Sequence, residues 1–249
     1  MGKTALALNI ADHVAIELKQ PVAVFSLEMS DESLMMRAMC SRARVSMTNV
    51  RKAFIGDADK TRLMEARLAM HKAPLYIDDS GGLSVLQLRA KARRMHQQYG
   101  IKLFIIDYLQ LMQGPRSAEN REKEISAISR SLKALAKELD IPVIALSQLS
   151  RAVEGRTDKR PILSDLRESG AIEQDADVVA FVHRPEMYMD PKSEKAEEVQ
   201  GRAEIIVGKQ RNGPIDDVTL AFVHRYARFE NLALPSFETM PVGPEEPPF

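Results

Sequence analysis

The sequence predicts an α/β fold with a mostly parallel sheet flanked by helices, and three observations support this prediction. Short apolar runs alternate with longer amphipathic segments, which is the pattern of strands joined by covering helices. The run at 103–106 is unbroken and rich in β-branched residues, as in a strand buried on both faces. Polar side chains follow several runs, and parallel sheets bind ligands at the carboxyl ends of their strands.

Periodic apolar residues and the breakers that follow them define the predicted helical segments, which are 4–19, 30–41, 47–54, 57–71, 83–99 and 122–139. Runs of β-branched and aromatic residues define the predicted strands, which are 22–27, 75–77, 102–108, 143–148, 178–182, 203–207, 218–222 and 227–229. Polar or charged stretches predict loops at 113–121, 151–161 and 185–201. We expect one folded domain over 1–232, followed by a disordered tail at 233–249 that is rich in proline and acidic residues.

Composition limits the classes of function. Of the 249 residues, 45% are hydrophobic and 28% are charged, as in a globular protein. The formal net charge is zero, so a site for a polyanion must come from a local concentration of Lys and Arg. No apolar stretch approaches the roughly 20 residues that span a bilayer, so we expect no membrane partner. The single cysteine, Cys40, can form no internal disulfide, which suits a reducing cytoplasm.

Asp107 closes the apolar run at 103–106, and a buried carboxylate is costly unless a cation compensates it. Gly2-Lys3-Thr4 opens an apolar helix and matches the end of a phosphate-binding loop, in which Lys reaches phosphate oxygens and Thr ligates Mg²⁺. Each signal alone is weak, because an Asp after a strand is often a cap and short motifs recur by chance. Together in one α/β chain they predict a nucleotide site that binds ATP and Mg²⁺.

The phosphate-binding loop also needs a glycine several residues before Gly2, and a strand before that glycine. Met1 stands where this loop would already be half complete. We therefore expect the first strand of the fold to be missing from this chain.

Two further strand ends are candidates for the chemistry of hydrolysis. Glu28 follows the strand at 22–27 and is our candidate to orient the attacking water; an acid beside the start of the next helix is the alternative interpretation. Gln148 follows the strand at 143–148, where it would sense the γ-phosphate or would simply be a polar strand end.

Two cationic regions remain. Lys209 and Arg211 flank a turn containing Asn-Gly-Pro, which favours a solvated hairpin tip, although an arginine finger reaching a neighbouring subunit is the sharper interpretation. Basic loops follow other strands and suit the phosphate backbone of single-stranded DNA, or else form a solvated surface. The basic residues of these loops are Arg116, Arg121, Arg151, Arg156, Lys159, Arg160 and Arg167.

Several segments, taken in order, resemble the helicase motifs of the replicative DnaB-type hexameric DNA helicases. They follow the family's order and cover the chain to about residue 232. The segments are Gly2-Lys3-Thr4, Phe25-Ser26-Leu27-Glu28-Met29-Ser30, Ile105-Ile106-Asp107-Tyr108-Leu109-Gln110, Ala145-Leu146-Ser147-Gln148-Leu149-Ser150-Arg151, Asp165-Leu166-Arg167-Glu168-Ser169-Gly170 and Lys209-Gln210-Arg211-Asn212-Gly213. By this resemblance we expect the family's amino-terminal domain and linker helix to be missing from this chain.

The resemblance implies a RecA-like P-loop NTPase core, acting as a homo-hexameric ATP-dependent helicase on single-stranded DNA with 5′ to 3′ polarity. A primase and a helicase loader are the implied protein partners. By the family pattern, the phosphate and metal residues are Gly2, Lys3, Thr4 and Asp107. Glu28 is the implied catalytic acid, Gln148 the coupling residue, and Arg211 with Lys209 the finger acting in trans. The implied DNA-contacting residues are Arg116, Arg121, Arg167, Glu168 and Gly170.

Two alternatives remain at this point. A RecA-like recombinase or repair ATPase would form a filament and exchange strands, although the Lys-Gln-Arg turn and the Arg-Glu-Ser-Gly loop favour the helicase. A truncated, catalytically inactive fragment would bind partners without turning over ATP.

Overall fold

The structure is a computed structural model that describes residues 2–114, 120–190 and 193–232. The predicted tail at 233–249 lies outside these ranges. The helices are α1 (Lys3–Asp12), α2 (Asp31–Ala43), α3 (Met47–Arg51), α4 (Asp57–Lys72), α5 (Val85–Tyr99), α6 (Arg121–Leu139), α7 (Gly170–Asp175) and α8 (Glu194–Glu198). The strands are β1 (Val22–Ser26), β2 (Leu75–Asp78), β3 (Leu103–Asp107), β4 (Val143–Ala145), β5 (Val178–His183), β6 (Arg202–Gln210), β7 (Asp217–Val223) and β8 (Arg228–Asn231).

The first four strands form a parallel sheet in the order β2-β1-β3-β4, as the alternation of strands and helices predicts. Every residue of β1 and β3 is buried. One face packs on α5 and α6, with Leu88 and Ile128 fully buried against Phe104. The other face packs on α1 and α2 through Leu8 and Leu34. Because both faces are covered, the two central strands are apolar until they reach the edge of the sheet.

The remaining strands form a separate antiparallel sheet in the order β5-β6-β7-β8. Its last two connections are short turns, and such connections join antiparallel neighbours, whereas parallel neighbours need a long crossover. Alternating strands and helices predicted the parallel sheet, and the local apolar runs predicted the later strands without predicting their direction. This sheet is therefore the main feature of the fold that the sequence pattern did not predict.

Helix α1 joins the two sheets. Ala5 packs with Phe222 and Phe229 of the antiparallel sheet, and Leu8, one turn further along the helix, packs on the parallel sheet. The amide of Phe229 donates a hydrogen bond of 2.8 Å to the side-chain oxygen of Asn9. The start of α1 is thus held between the two sheets.

Several predicted elements differ in length. The first helix continues beyond Asp12 as a wider π-helical turn at His13–Glu17, and β4 ends at Ala145, before the predicted 148. Helix α3 ends before the predicted 54, and β6 extends beyond both ends of the predicted 203–207. The chain after β4 still follows β3, because the amide of Leu146 donates to the carbonyl of Ile106 at 2.9 Å. No helix within the described ranges is long and apolar enough to cross a membrane.

Candidate nucleotide site

The carboxyl ends of β1 and β3 bring two acidic residues together. Ser26 at the end of β1 pairs with Asp107 at the end of β3, and the amide of Leu27 donates to the carbonyl of Asp107 at 2.7 Å. Glu28 follows Leu27 directly, so its main chain leaves the sheet beside Asp107. The buried hydroxyl of Ser26 closes this turn, since it donates to the carbonyl of Met29 at 2.6 Å and accepts from the Met29 amide at 3.2 Å.

The amino end of α1 meets the same edge of the sheet. Thr4 Oγ1 donates to Asp107 Oδ2 at 2.7 Å, across 103 positions of sequence. Lys3 Nζ donates to the carbonyl of Ser147 at 2.6 Å and lies 5.4 Å from the ring centre of Tyr108. Gly2 precedes the helix at φ 99°, a left-handed conformation that favours glycine, and no side chain caps the helix. The first amides of α1 therefore remain available to an anion.

The charges of this edge act on one another. Burial lowers the pKa of Lys3, and the nearby carboxylates of Asp107 and Glu28 oppose that shift. Asp107 is only 4% exposed, so its charge needs the compensation that Lys3 and the Thr4 hydroxyl provide. The structure thus brings Lys3, Thr4, Glu28 and Asp107 together, although they are far apart in sequence.

The oxygen atoms of Thr4 and Asp107 have the chemistry that Mg²⁺ requires. Magnesium in nucleotide sites takes one or two protein oxygens and completes its shell with water and phosphate oxygens. In the described ranges there is no group of three or more His, Cys, Asp or Glu side chains that could enclose a metal by themselves. The residues present therefore fit a metal that arrives with a phosphate ligand and do not fit a permanent metal centre.

Gln148 lies just beyond this edge and is exposed. The main-chain amide of Gln148 donates to Gln110 Oε1 at 3.1 Å. Gln110 Nε2 donates to Ser147 Oγ at 2.9 Å and to the main-chain carbonyl of Gln148 at 3.3 Å. Ser147 is also the residue whose carbonyl accepts from Lys3. Gln148 therefore directly follows the residue whose carbonyl contacts Lys3, the candidate phosphate-binding lysine.

Lys209 and Arg211 lie elsewhere. Lys209 donates to the carbonyls of Glu173 and Gln174, and Arg211 donates to the Gln174 carbonyl at 3.0 Å and forms an ion pair of 3.6 Å with Asp177. They lie near the start of β5, because Gln210 pairs with Val178.

The other end of β5 lies toward the nucleotide site. The next residue, Arg184, comes within 3.8 Å of a Cβ built on Gly2. A strand of this length spans about 17–20 Å, so the structure does not bring Lys209 and Arg211 to the phosphate site of their own chain.

The residues predicted to contact DNA are only partly described. Arg121 is exposed at the start of α6, and Gly170 is exposed at the start of α7. Arg116 and the side chains of Arg167 and Glu168 lie outside the described part of the structure.

Ion pairs reduce the charge of one basic loop. Arg156 binds Asp165 with contacts of 2.8 and 3.0 Å, and Arg160 pairs with Glu204 and Asp217. These two arginines hold the loop at 151–161 in place, which leaves less free positive charge than the sequence suggested.

Sequence reasoning overlooked the roles of Ser26, Gln110 and Ser147. Ser26 and Gln110 lie within segments that resemble the family's motifs, and that resemblance was the signal that could have drawn attention to them. Ser147 contributes its main-chain carbonyl to Lys3, and a carbonyl carries no residue-specific signal. These contacts depend on how β1, β3 and β4 are aligned.

A lysine and a threonine at an uncapped helix start, facing acids at the ends of adjacent parallel strands, define a nucleotide-binding site of the P-loop class. Residues 1–231 match the family model described as the DnaB-like helicase C terminal domain, and the chain belongs to this family.

Curated relatives agree with this placement. The chain is 52% identical over 233 residues to the replicative DNA helicase DnaB of Geobacillus stearothermophilus, covering 93% of the chain and 50% of the relative. It is 51% identical over 236 residues to the corresponding protein of Pasteurella multocida, covering 94% and 50%. The chain therefore spans about half the length of these relatives.

Solved structures show the same fold, which is RecA-like as the resemblance implied. One of them, a solved ATPase domain, superimposes with a TM-score of 0.85 at 39% identity, covering 93% of this chain and 81% of that one. A DnaB-like replicative helicase, solved in a study of its interactions with primase, gives a TM-score of 0.86 at 39% identity and coverage of 94% and 55%.

Proposed function

We propose that this chain is the ATP-hydrolysing motor of a replicative DNA helicase, which moves along single-stranded DNA and unwinds the duplex at the replication fork. The observation that carries the proposal is the cluster of Lys3, Thr4, Glu28 and Asp107 in a chain of the DnaB-like family. ATP is the substrate, single-stranded DNA is the track, and the cytoplasm is the location.

Each residue of the cluster has a role in hydrolysis under this proposal. Lys3 exchanges the neutral carbonyl of Ser147 for phosphate oxygens, because a charged partner makes a stronger hydrogen bond. Thr4 and Asp107 would hold Mg²⁺, which when bound offsets the negative charge of the phosphates. Glu28, with its turn closed by Ser26, holds the attacking water and accepts a proton from it.

The separation of Arg211 from the phosphate site supports a finger that acts between subunits. Arg211 is about half exposed, with a side-chain exposure of 48%, and lies away from Lys3 of its own chain. In a homo-hexameric ring each Arg211, with Lys209 beside it, would reach the γ-phosphate bound by the neighbouring subunit. Arg121 and Gly170, together with Arg116, Arg167 and Glu168, would contact the DNA backbone.

The protein partners and the polarity belong to the same proposal. One solved neighbour is a DnaB-like helicase described together with its interactions with primase. We propose primase as a partner on this basis, and a helicase loader and 5′ to 3′ movement on the resemblance alone.

The test compares ATP turnover, with and without single-stranded DNA, in two forms of the protein. One form is this chain. The other carries, at its amino end, the part of the Geobacillus stearothermophilus relative that precedes the matched region. We expect DNA-stimulated turnover and unwinding in the extended form. Lys3→Ala and Glu28→Gln should each lower turnover roughly 100-fold or more, since each removes a group that acts on the transition state.

Glu28→Gln should still bind a fluorescent ATP analogue, because it changes a proton acceptor and leaves Lys3 in place. Arg225→Ala, an exposed substitution outside the site, serves as the control and should keep wild-type turnover. Wild-type turnover in either site variant would refute the assignment. Strand exchange without unwinding would point to a recombinase instead.

A further inference from the structure

A continuous set of hydrogen bonds connects the candidate phosphate site with the start of α6. At one end Lys3 donates to the Ser147 carbonyl at 2.6 Å. In the middle, the side-chain amide of Gln110 binds the hydroxyl of Ser147 and both main-chain groups of Gln148. At the other end Arg121 donates to the main-chain carbonyl of Gln110.

The two ends have the same chemistry. Lys3 and Arg121 are both cations, and each donates to a neutral carbonyl oxygen that belongs to this set. A phosphate oxygen is a better acceptor for either cation, since a hydrogen bond between charged groups is about twice as strong as a neutral one. A nucleotide phosphate would therefore compete with Ser147 for Lys3, and a DNA phosphate would compete with Gln110 for Arg121.

The start of α6 is itself well held. Arg121 also pairs with Glu124, and Glu124 accepts from the Gly114 amide at 2.6 Å. A Cβ built on Gly114 would overlap Glu124 Cγ, so this close approach requires glycine. The chain thus leaves at Gly114 and returns at Arg121 through one shared carboxylate. Because Arg121 is held by both the Glu124 carboxylate and the Gln110 carbonyl, a displacement of the Arg121 side chain would move the main chain of Gln110.

The two segments that connect these ends, after β3 and after β4, are also held together by hydrogen bonds. The segments after β3 and β4 remain paired, because the Leu109 amide donates to the Leu146 carbonyl at 2.9 Å. Gln110 is half-buried next to this pairing, and its side-chain amide joins the two segments.

We propose that Gln110 is a positioning residue that couples DNA binding to ATP hydrolysis by linking Arg121 to the Ser147–Gln148 segment beside Lys3. The proposal rests on the proposed function. Gln110 contacts neither nucleotide nor DNA, and it acts by setting where the carbonyl of Ser147 and the main chain of Gln148 lie. By linkage, occupation of either phosphate site should change the affinity of the other by the same factor.

The test uses Gln110→Met, which keeps the length of the side chain and removes its hydrogen bonds. It is made in whichever of the two forms described above hydrolyses ATP. The first measurement is the ratio of DNA-stimulated to basal turnover. The second is the ratio of the dissociation constants for single-stranded DNA without and with a non-hydrolysable ATP analogue. We expect both ratios to fall to about 1; for the ratio of dissociation constants, the wild-type value typical of coupled sites is roughly 5- to 150-fold.

Gln110→Glu supplies a second variant should Gln110→Met fail to fold. It can still accept from the Gln148 main-chain amide and can accept from the Ser147 hydroxyl, but it can no longer donate to the Gln148 carbonyl, so we expect both ratios to fall part of the way toward 1. Gln98→Met, on the exposed side of α5, is the matched control and should keep both wild-type ratios.

Two results would overturn the coupling role. Wild-type ratios in a folded Gln110 variant would do so, and so would parallel losses of basal and stimulated turnover, which indicate only a structural role. Absence of turnover in every wild-type form would instead refute the proposed function, and the coupling role with it.

Discussion

The parallel and antiparallel sheets of this protein divide its candidate functional groups between them. In the parallel sheet, β1 and β3 are buried along their whole length, and their polar residues appear only where the strands end. In the antiparallel sheet, exposed and buried residues alternate along β5, and Val178 is 54% exposed. The parallel sheet carries Glu28 and Asp107, whereas the antiparallel sheet carries Lys209 and Arg211.

Under the proposed function, this difference would place two complementary halves of a catalytic site in one chain. A sheet covered on both faces can hold charged groups only at its edge, which concentrates them around one ligand. A sheet with one exposed face can present cations outward, toward another molecule. The predictions below test this contrast, from the largest expected effect to the smallest.

Arg211→Ala should reduce turnover about 1,000-fold if the antiparallel sheet supplies a finger to a neighbouring subunit. Arg202→Ala is a matched control, because Arg202 lies at the other end of β6 with a similar side-chain exposure of 49%. It should keep wild-type turnover. The measurement is kcat with saturating ATP and single-stranded DNA.

Mixing two inactive variants sharpens the same point. Arg211→Ala subunits retain Lys3, and Lys3→Ala subunits retain Arg211, so under the proposed function mixed rings would contain some complete interfaces. We expect partial recovery of turnover on mixing. No recovery, in rings shown by light scattering to be mixed, would contradict action between subunits.

Phe104→Ala should lower the free energy of unfolding by about 3–5 kcal/mol, because its ring is fully buried in the parallel sheet and stacks on Phe25 at 5.8 Å. Val218→Ala in the antiparallel sheet should change it by no more than about 0.5 kcal/mol, since Val218 is 49% exposed. Urea unfolding followed by circular dichroism measures both. Equal effects would remove the contrast between the sheets.

Thr4→Val should cost about 1–3 kcal/mol of stability in the absence of nucleotide, because it leaves the buried Asp107 carboxylate without its hydroxyl donor. Thr4→Ser keeps the hydroxyl and should recover most of the loss. Thr61→Val removes an exposed hydroxyl that donates to a main-chain carbonyl and serves as the surface control. Thermal unfolding of the three variants provides the comparison, which fails if Thr4→Ser and Thr4→Val are equally unstable.

Glu138→Gln should have the smallest effect. Hydrogen bonds from Arg93 and Arg89, on α5, lower the pKa of Glu138 from 4.5 to about 2. Because the pKa is lower in the folded state, the contribution to stability is complete above pH 4.5 and is lost as the pH falls toward about 2.

The variant should therefore unfold at slightly lower urea concentration than wild type at neutral pH. The difference should shrink as the pH is lowered through this window. A difference that grows on acidification would show that the sign is wrong.

Much of the fold and of the nucleotide site could be predicted from the sequence. The apolar runs located β1 and β3, and the periodic segments located the long helices, because burial imposes these patterns locally. Lys3 and Thr4 at a helix start and Asp107 after a buried strand could be recognised because each has a local signature. Their meeting was inferred from the phosphate-loop motif and from the cation that a buried carboxylate needs, and the hydrogen bond between Thr4 and Asp107 confirms that they meet.

The tertiary structure alone decided the rest. The direction of β5 to β8, the pairing of Arg160 with Glu204, and the carbonyl of Ser147 beside Lys3 depend on residues that are distant in sequence. The main-chain carbonyl is the same in every residue, so no sequence pattern identifies which carbonyl will accept a hydrogen bond from a cation such as Lys3. Local patterns determine where strands and helices form, whereas the partners of their polar ends are determined only when those elements pack.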